Sequence, residues 1–266
     1  MQRLTKWRSG LTLTAVGCAV MTLSGAQAAA QDFEWQGRVA PGRAIEIMNV
    51  NGDVEAIAGR GDHVEVTAIK YEGRRGDPED VTFEVVEHAG GVTICAMYPS
   101  RGRRDNECRP GGGGHMSTND NDTEVRFTVH VPAGVDFVGR SVNGDVDIDG
   151  IAGNATAHTV NGSVMVQADG WVEANTVNGS IEAWMGTAEW DDDIEFHTVN
   201  GSITVYLPDG VNADVRATTV NGAMETDFPL TVQGRWGPRH LQGRIGSGGQ
   251  DLRLETVNGG IHLKRR

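Results

Sequence analysis

The tripeptide Val-Asn-Gly occurs seven times in this chain: Val50-Asn51-Gly52, Val142-Asn143-Gly144, Val160-Asn161-Gly162, Val177-Asn178-Gly179, Val199-Asn200-Gly201, Val220-Asn221-Gly222 and Val257-Asn258-Gly259. From Val142 onward the copies stand 18, 17, 22, 21 and 37 residues apart. A repeat near 20 residues is one supersecondary unit that buries its apolar face only by stacking on the next copy. The last interval is about two periods, so a degenerate copy is expected near Gly234 to Gly248.

The flanks set the element type. Three residues after each Asn stands Val54, Val146, Val164, Ile181, Ile203, Met224 or Ile261, and two further on Ala56, Ile148, Val166, Ala183, Val205, Thr226 or Leu263. The residues between are mostly polar, as Glu55, Asp147, Glu182 and Thr204 show. Alternation with period 2 is the mark of a strand with one buried face. The same alternation precedes the tripeptide at Ala155/Ala157, Val172/Ala174, Ile194/Phe196, Val215/Ala217 and Leu252/Leu254. Each period therefore holds two short strands, with the Asn-Gly corner as one turn and Gly there expected to supply a positive φ.

Asn-Gly between strands is also the strongest hairpin signal, which makes an antiparallel meander the rival. Identity down the columns favours parallel stacking, because like residues then repeat at about 4.8 Å and Asn can bond to Asn. The expected fold is all-β: a parallel β-solenoid, β-helix-like, of short strands over 142–266, with a more irregular β region over 31–141. In sequential stacking Ile261 belongs to a terminal rung and matters less to stability than the central Ile181. In the irregular region His63 to Tyr71, Val81 to Val86, Gly91 to Tyr98 and Glu124 to Val131 read as longer strands. A Gly-rich loop over 99–124 reads as disordered.

The first thirty residues carry Arg3, Lys6 and Arg8 and no acid, then an apolar run from Leu11 to Leu23, then Ala26-Gln27-Ala28 and Ala28-Ala29-Ala30. This is the order of a secretory signal over 1–30, cleaved after Ala28 or Ala30. The run is short of the roughly 20 residues a membrane span needs, and no other stretch is apolar enough, so no transmembrane anchor is expected in the mature chain. Cys18 sits in a loose lipoprotein-like box, Ala15-Val16-Gly17-Cys18, which keeps lipidation as the alternative. Cys95 and Cys108 remain, and two cysteines in an exported chain read as one disulfide. Of the 23 basic residues 20 remain after cleavage, against 36 acidic ones. A chain so acidic is no phosphate-tracking nucleic-acid binder, because counterion release needs clustered Lys and Arg.

An exported chain with Val-Pro-Ala-Gly-Val at 131–135, Val-Asn-Gly-Asp-Val-Asp-Ile at 142–148 and repeated Thr-Val-Asn-Gly-Ser-Ile resembles the bacterial putative-adhesin family of exported proteins. The resemblance runs from about Ile45 to Leu263. It implies a β-solenoid of short parallel strands and carries no catalytic motif.

Several constellations admit chemistry. Asp145-Val146-Asp147-Ile148-Asp149-Gly150 opens like a calcium loop, but its twelfth position is Thr156 where a bidentate Glu belongs. A solvated strand face, with carboxylates about 6.6 Å apart, is the stronger reading. His158 and His197 occupy equivalent places two rungs apart, roughly 9.6 Å, with Asn175 between, too far to share a zinc ion. Asp191-Asp192-Asp193 lies in a lengthened period; carboxylates can hydrolyse glycans, but no catalytic partner is identifiable. Arg60-Gly61-Asp62 and Arg75-Gly76-Asp77 read as turns. Asn161, Asn178 and Asn200 open Asn-Gly-Ser sequons, which their corner position explains without sugar. Arg235, Trp236, Arg239, His240 and Arg244 form a basic patch that meets an acidic ligand or caps an end rung.

No cofactor, metal site or catalytic residue is expected. The residues singled out are Cys95 and Cys108 as a disulfide, and Asn51, Asn143, Asn161, Asn178, Asn200, Asn221 and Asn258 as a structural corner column. The expected protein is a non-enzymatic, adhesin-like binding module of the periplasm or cell surface, with a surface glycan or envelope component as partner. A carbohydrate-active enzyme and a polymerising envelope scaffold are the alternatives.

Overall fold

The structure is a computed structural model that describes residues 32–100, 106–113, 117–118, 120–232 and 239–266. Residues 1–30, read above as a signal, with Cys18 among them, and Arg235 and Trp236 lie outside the described residues. Among the described residues the chain is all-β, in one sheet of ten strands and another of eleven. Gln31–Arg266 form one unit around a continuous apolar core.

Through the repeats the chain alternates between the sheets. Val146–Ile151, Val164–Ala168, Ile181–Met185 and Ile203–Leu207 lie in the first. Ala155–His158, Val172–Asn175 and Ile194–His197 lie in the second. Up to Ile194–His197 and Ile203–Leu207, each strand pairs in parallel with the strand one period on, without slip at the corner: Val146 faces Val164, Val164 faces Ile181, and Ile181 faces Ile203. Register is held because a shift of one residue would turn every apolar side chain to solvent. The inward residues, including Ile148, Val166, Ile181 and Ile203 from one sheet and Ala157, Val172, Ala174 and Phe196 from the other, are fully buried.

The stacking order departs from chain order at both ends. Ala44–Met48 and Val54–Ala58 lie between Gly91–Met97 with Glu124–Val131 on one side and Asp136–Arg140 with Val146–Ile151 on the other. Asp251–Asn258 and Ile261–Arg265 lie between Ile194–His197 with Ile203–Leu207 and Ala213–Asn221 with Met224–Thr226. The last copy in the chain is thus inside the stack, and Met224 is the end-rung residue in place of Ile261. Among the described residues no parallel rung lies near Gly234 to Gly248. Instead His240–Ile245 runs antiparallel along Ala213–Asn221, with Thr231–Val232 outside it. At the other end Phe33–Gly37, Val64–Tyr71 and Thr82–His88 add further antiparallel edges. Short antiparallel strands cover backbone groups that a parallel stack leaves open at its ends.

Three ladders run up the Asn-Gly corner. The side-chain amides form one: Asn143 donates to Asn51, Asn161 to Asn143, Asn178 to Asn161, Asn200 to Asn178, Asn258 to Asn200 and Asn221 to Asn258, all at 2.8–2.9 Å. A buried hydroxyl two residues earlier forms the second. Ser141, Thr159, Thr176, Thr198, Thr256 and Thr219 donate to the corner-glycine carbonyl of the rung below at 2.8–2.9 Å. In the third, Asp53 and Asp145 accept backbone N–H groups of Asp145 and Ser163 at 2.9 and 2.7 Å, and Ser180 accepts from Ser202 at 3.2 Å.

The corner glycines correct one expectation. Only Gly52 has a positive φ, 113°. At Gly144, Gly162, Gly179, Gly201, Gly259 and Gly222 the backbone is ordinary, but a Cβ would strike the glycine carbonyl of the next rung. The column is glycine because rungs approach closely there, and the Thr hydroxyls bond those same carbonyls.

Cys95 and Cys108 are joined by a disulfide with Cα atoms 5.8 Å apart. The loop expected to be disordered is held where it is described. Asn106 donates to the carbonyls of Tyr98 and Ser117, both at 2.8 Å. Gly111 N–H reaches the buried Glu46 carboxylate at 2.8 Å, which also accepts from Arg140 at 2.8 Å and Thr93 at 2.9 Å.

Candidate functional site

At the corner opposite Asn-Gly the regular turn is short. Ala168-Asp169-Gly170-Trp171-Val172 turns with Trp171 as the one residue between Gly170 and Val172. In the next rung residues 187–193 intervene between Gly186 and Ile194. Insertions in a repeat array emerge on one face, which is often the binding face. Thr187 shapes this loop by bonding both the N–H and the carbonyl of Glu189, at 3.2 and 3.0 Å. Gln250 donates to the Asp191 carbonyl, and the Asp193 carboxylate accepts from Asp251 N–H at 3.0 Å. The inserted loop is therefore fastened to the out-of-order last rung.

Trp190 packs partly against the core and divides two clefts. One, of about 230 Å³, is lined by Trp171, Glu173, Trp190, Asp191, Asp192 and Asp193, with Ile194 beneath. The other, of about 560 Å³, runs from Glu189 and Trp190 to Asn212 and the turn at Gly248, Gly249 and Gln250. Trp190 Nε1 is shut off from solvent and has no hydrogen-bond partner among the described residues. Burial and, second, the neighbouring Glu195 push the Glu173 carboxyl above the ordinary carboxylate range. The site thus offers two indoles and a ring of carboxylates.

Beside it, on the outward face of the eleven-stranded sheet, stand Glu195, His197 and Glu255, half-buried, with donor atoms within 4.8 Å of one another. His197 and Glu255 are register partners on adjacent parallel strands. The sequence places His197 relative to His158, and Asn175 does lie between them in register. It gives no sign of Glu255, because that neighbour arrives by insertion of the last rung. Trp171 and Glu173 also pass unremarked in the sequence, since they occupy ordinary strand and turn positions.

The other sequence candidates are placed as follows. Asp145, Asp147 and Asp149 are exposed on one strand face, and one Asp145 oxygen is taken by Ser163 N–H. Burial and then Glu55, Asp149 and Asp145 raise the Asp147 carboxyl. Asp62 pairs with Arg38 at 2.8 Å and His63 at 2.7 Å. Asp77 caps Glu79 N–H at 3.0 Å, and Gly61 and Gly76 have φ of 87° and 83°, so both Arg-Gly-Asp segments form turns. In the basic patch Arg244 is paired with Asp214 at 3.0 Å, and His240 meets the Thr218 hydroxyl at 3.3 Å. The sequon residues Asn161, Asn178 and Asn200 use in the ladder the same Nδ2 that a glycan would take. No helix among the described residues is long and apolar enough to cross a membrane.

Among solved structures, the chain is similar to a putative cell adhesion protein from Clostridium sporogenes, at 12% identity and TM-score 0.44, over 88% of this chain and 99% of that one. It is similar to a putative adhesin from Bacteroides fragilis at 12% identity and TM-score 0.35, over 87% and 96%. A putative lipid binding protein from Parabacteroides distasonis gives 9% identity and TM-score 0.28, over 88% and 96%. No curated protein matches the sequence. The sequence model of one family covers residues 41–264, nearly the whole of the two-sheet unit, and by that match the chain belongs to the Toastrack DUF4097 family.

Proposed function

We propose that the protein is an exported, non-enzymatic β-solenoid that serves as an adhesin-like binding module in the periplasm or at the cell surface, and that its ligand is a glycan held at Trp190. Charged and apolar surfaces meet at the corner where residues 187–193 lengthen the short turn, and that observation carries the reading. Indole faces bury the C–H surfaces of a sugar ring while carboxylates accept its hydroxyls. Glu173, Glu189, Asp191, Asp192 and Asp193 around the clefts disfavour an acidic glycan by like-charge repulsion. The preferred ligand is therefore a neutral or amine-bearing sugar. Export rests on the order of basic, apolar and Ala-x-Ala segments at the N-terminus.

The test is a glycan array probed with mature protein beside Trp190→Ala and Trp171→Ala. Saturable binding to neutral glycans that both variants lose, with melting curves unchanged, supports the proposal. Binding that survives both substitutions overturns it, as does no binding at all. Product release from a polysaccharide panel overturns the non-enzymatic part and installs a carbohydrate-active enzyme at the same clefts.

A further inference from the structure

We propose that Glu195, His197 and Glu255 bind a divalent first-row transition cation. The site is independent of the glycan reading, because none of the three lines the Trp190 clefts.

Geometry comes first. Glu195 and His197 are two residues apart on one strand and so leave the same face of the sheet. Glu255 is opposite His197 on the next parallel strand. Phe196 and Leu254, the inward residues between them, are fully buried and fix both strands from beneath. Three donors on two adjacent central strands are held far more firmly than three on a loop. Their donor atoms already lie within 4.8 Å of one another, so rotamer adjustment alone closes them to about 2 Å from a shared ion.

Electrostatics points the same way. Two half-buried carboxylates lie close to each other beside His197. Among the described residues neither has a side-chain hydrogen bond or an ion pair. The cations close by do not serve them: Arg253, opposite Glu195 in register, forms no ion pair with it, and Arg216 is taken by Asp251 at 3.0 Å. Like charges at this range in partial burial repel, and a divalent cation between them converts repulsion into attraction.

The donor set names the class of ion. One imidazole nitrogen with two carboxylate oxygens suits zinc and its first-row neighbours. Calcium takes six to eight oxygens and magnesium keeps most of its water, so neither gains from a histidine. Three protein ligands on an open sheet face leave further coordination positions to solvent.

The experiment titrates EDTA-treated mature protein with zinc chloride by calorimetry. The same titration is run on Glu195→Gln, His197→Gln and Glu255→Gln. One saturable zinc site is expected, weakened at least about tenfold in each variant and not displaced by equimolar calcium. Zinc should also raise the melting temperature of the wild type and leave the variants unmoved. No saturable binding overturns the site, as does binding unchanged in all three variants or ready displacement by calcium. Should a substitution impair folding, the His197 ring resonances of the wild type decide: a zinc-dependent change in them supports coordination, and unchanged resonances refute it.

Discussion

Asn258 donates its side-chain amide to Asn200 at 2.8 Å across 58 residues of chain, and accepts from Asn221, the copy that precedes it. The final copy is therefore the link that joins the rung of Ala213–Asn221 to the rest of the stack. Removing Asp251–Arg266 withdraws the parallel partner of Ile194–His197, Ile203–Leu207, Ala213–Asn221 and Met224–Thr226 together. It also removes the buried Leu252, Leu254, Ile261 and Leu263. We expect truncation after Gln250 to abolish the single cooperative melt, seen as broad unfolding by circular dichroism and fast amide exchange from Ile194 onward. Deleting Phe33–Gly37, an antiparallel edge strand, should leave the cooperative transition in place. Equal, small effects of the two deletions would show that the last rung is not a keystone.

The same residue marks the boundary of what can be read from sequence. Alternation of apolar and polar residues reports a strand with one buried face, so Val146, Val164, Ile181 and Ile203 are legible as core. Recurrence of Asn at one position reports a column. Which copy stacks on which is not legible, because every copy presents the same Val, Asn and Gly to its neighbours. The position of Glu255 beside His197 follows from that order and is lost with it. The buried hydroxyl ladder left a readable trace, Ser or Thr two residues before each Asn from Asn143 onward. The close approach of corner glycines left none distinct from an ordinary turn glycine.

The corner ladders give a ranked series of variants. Gly179→Val should be the most severe, because even a Cβ there meets the Gly162 backbone carbonyl, so the rungs themselves must part to admit a branched side chain and the loss should exceed that of Ile181→Ala. Ile181→Ala should cost about 2–5 kcal/mol through a cavity. Ile261→Ala should match it, since Ile261 lies between Ile203 and Met224 and is equally buried. Met224→Ala, at the end rung, should cost less. Thr176→Val removes a part-buried 2.9 Å bond to the Gly162 carbonyl and should cost about 1–3 kcal/mol. Asn178→Ala breaks two exposed amide links and should cost about 0.5–2 kcal/mol. Glu182→Ala should be nearly silent. Denaturant melts order the set, and an Asn178→Ala loss exceeding that of Ile181→Ala would refute the assignment of the core.

The disulfide links Cys108, in the loop, to the fully buried Cys95 beside Met48. With a sequence separation of 13, closing this loop in the unfolded chain should stabilise the fold by about 2–4 kcal/mol. The Cys95→Ala/Cys108→Ala protein should melt earlier by that amount. Non-reduced peptide mapping should recover the two cysteines linked. Free, alkylatable thiols in native protein would contradict the structure here.

His158 gives the fold a specific weakness to acid. Its ring is half-buried beside Arg140, and burial first, then Arg140, bring its pKa from 6.5 down to about 4, with Glu46 acting in the opposite direction. The unfolded chain takes up a proton near the ordinary value, while the folded protein refuses it until about pH 4. Protons therefore favour the unfolded state between those two values. The stability owed to a neutral His158 is fully present above about pH 6.5, falls as the pH drops, and is gone by about pH 4. The linkage relation puts the loss at about 3 kcal/mol. Carboxylates paired in the fold add their own acid sensitivity, so the informative quantity is a difference. Wild type and His158→Gln should be melted side by side from pH 7.5 to 4.0. Stability of the wild type should fall more steeply across pH 6.5 to 4.5, and the two curves should run parallel above pH 7. Curves parallel over the whole range would mean that His158 titrates in the fold as it does in the unfolded chain.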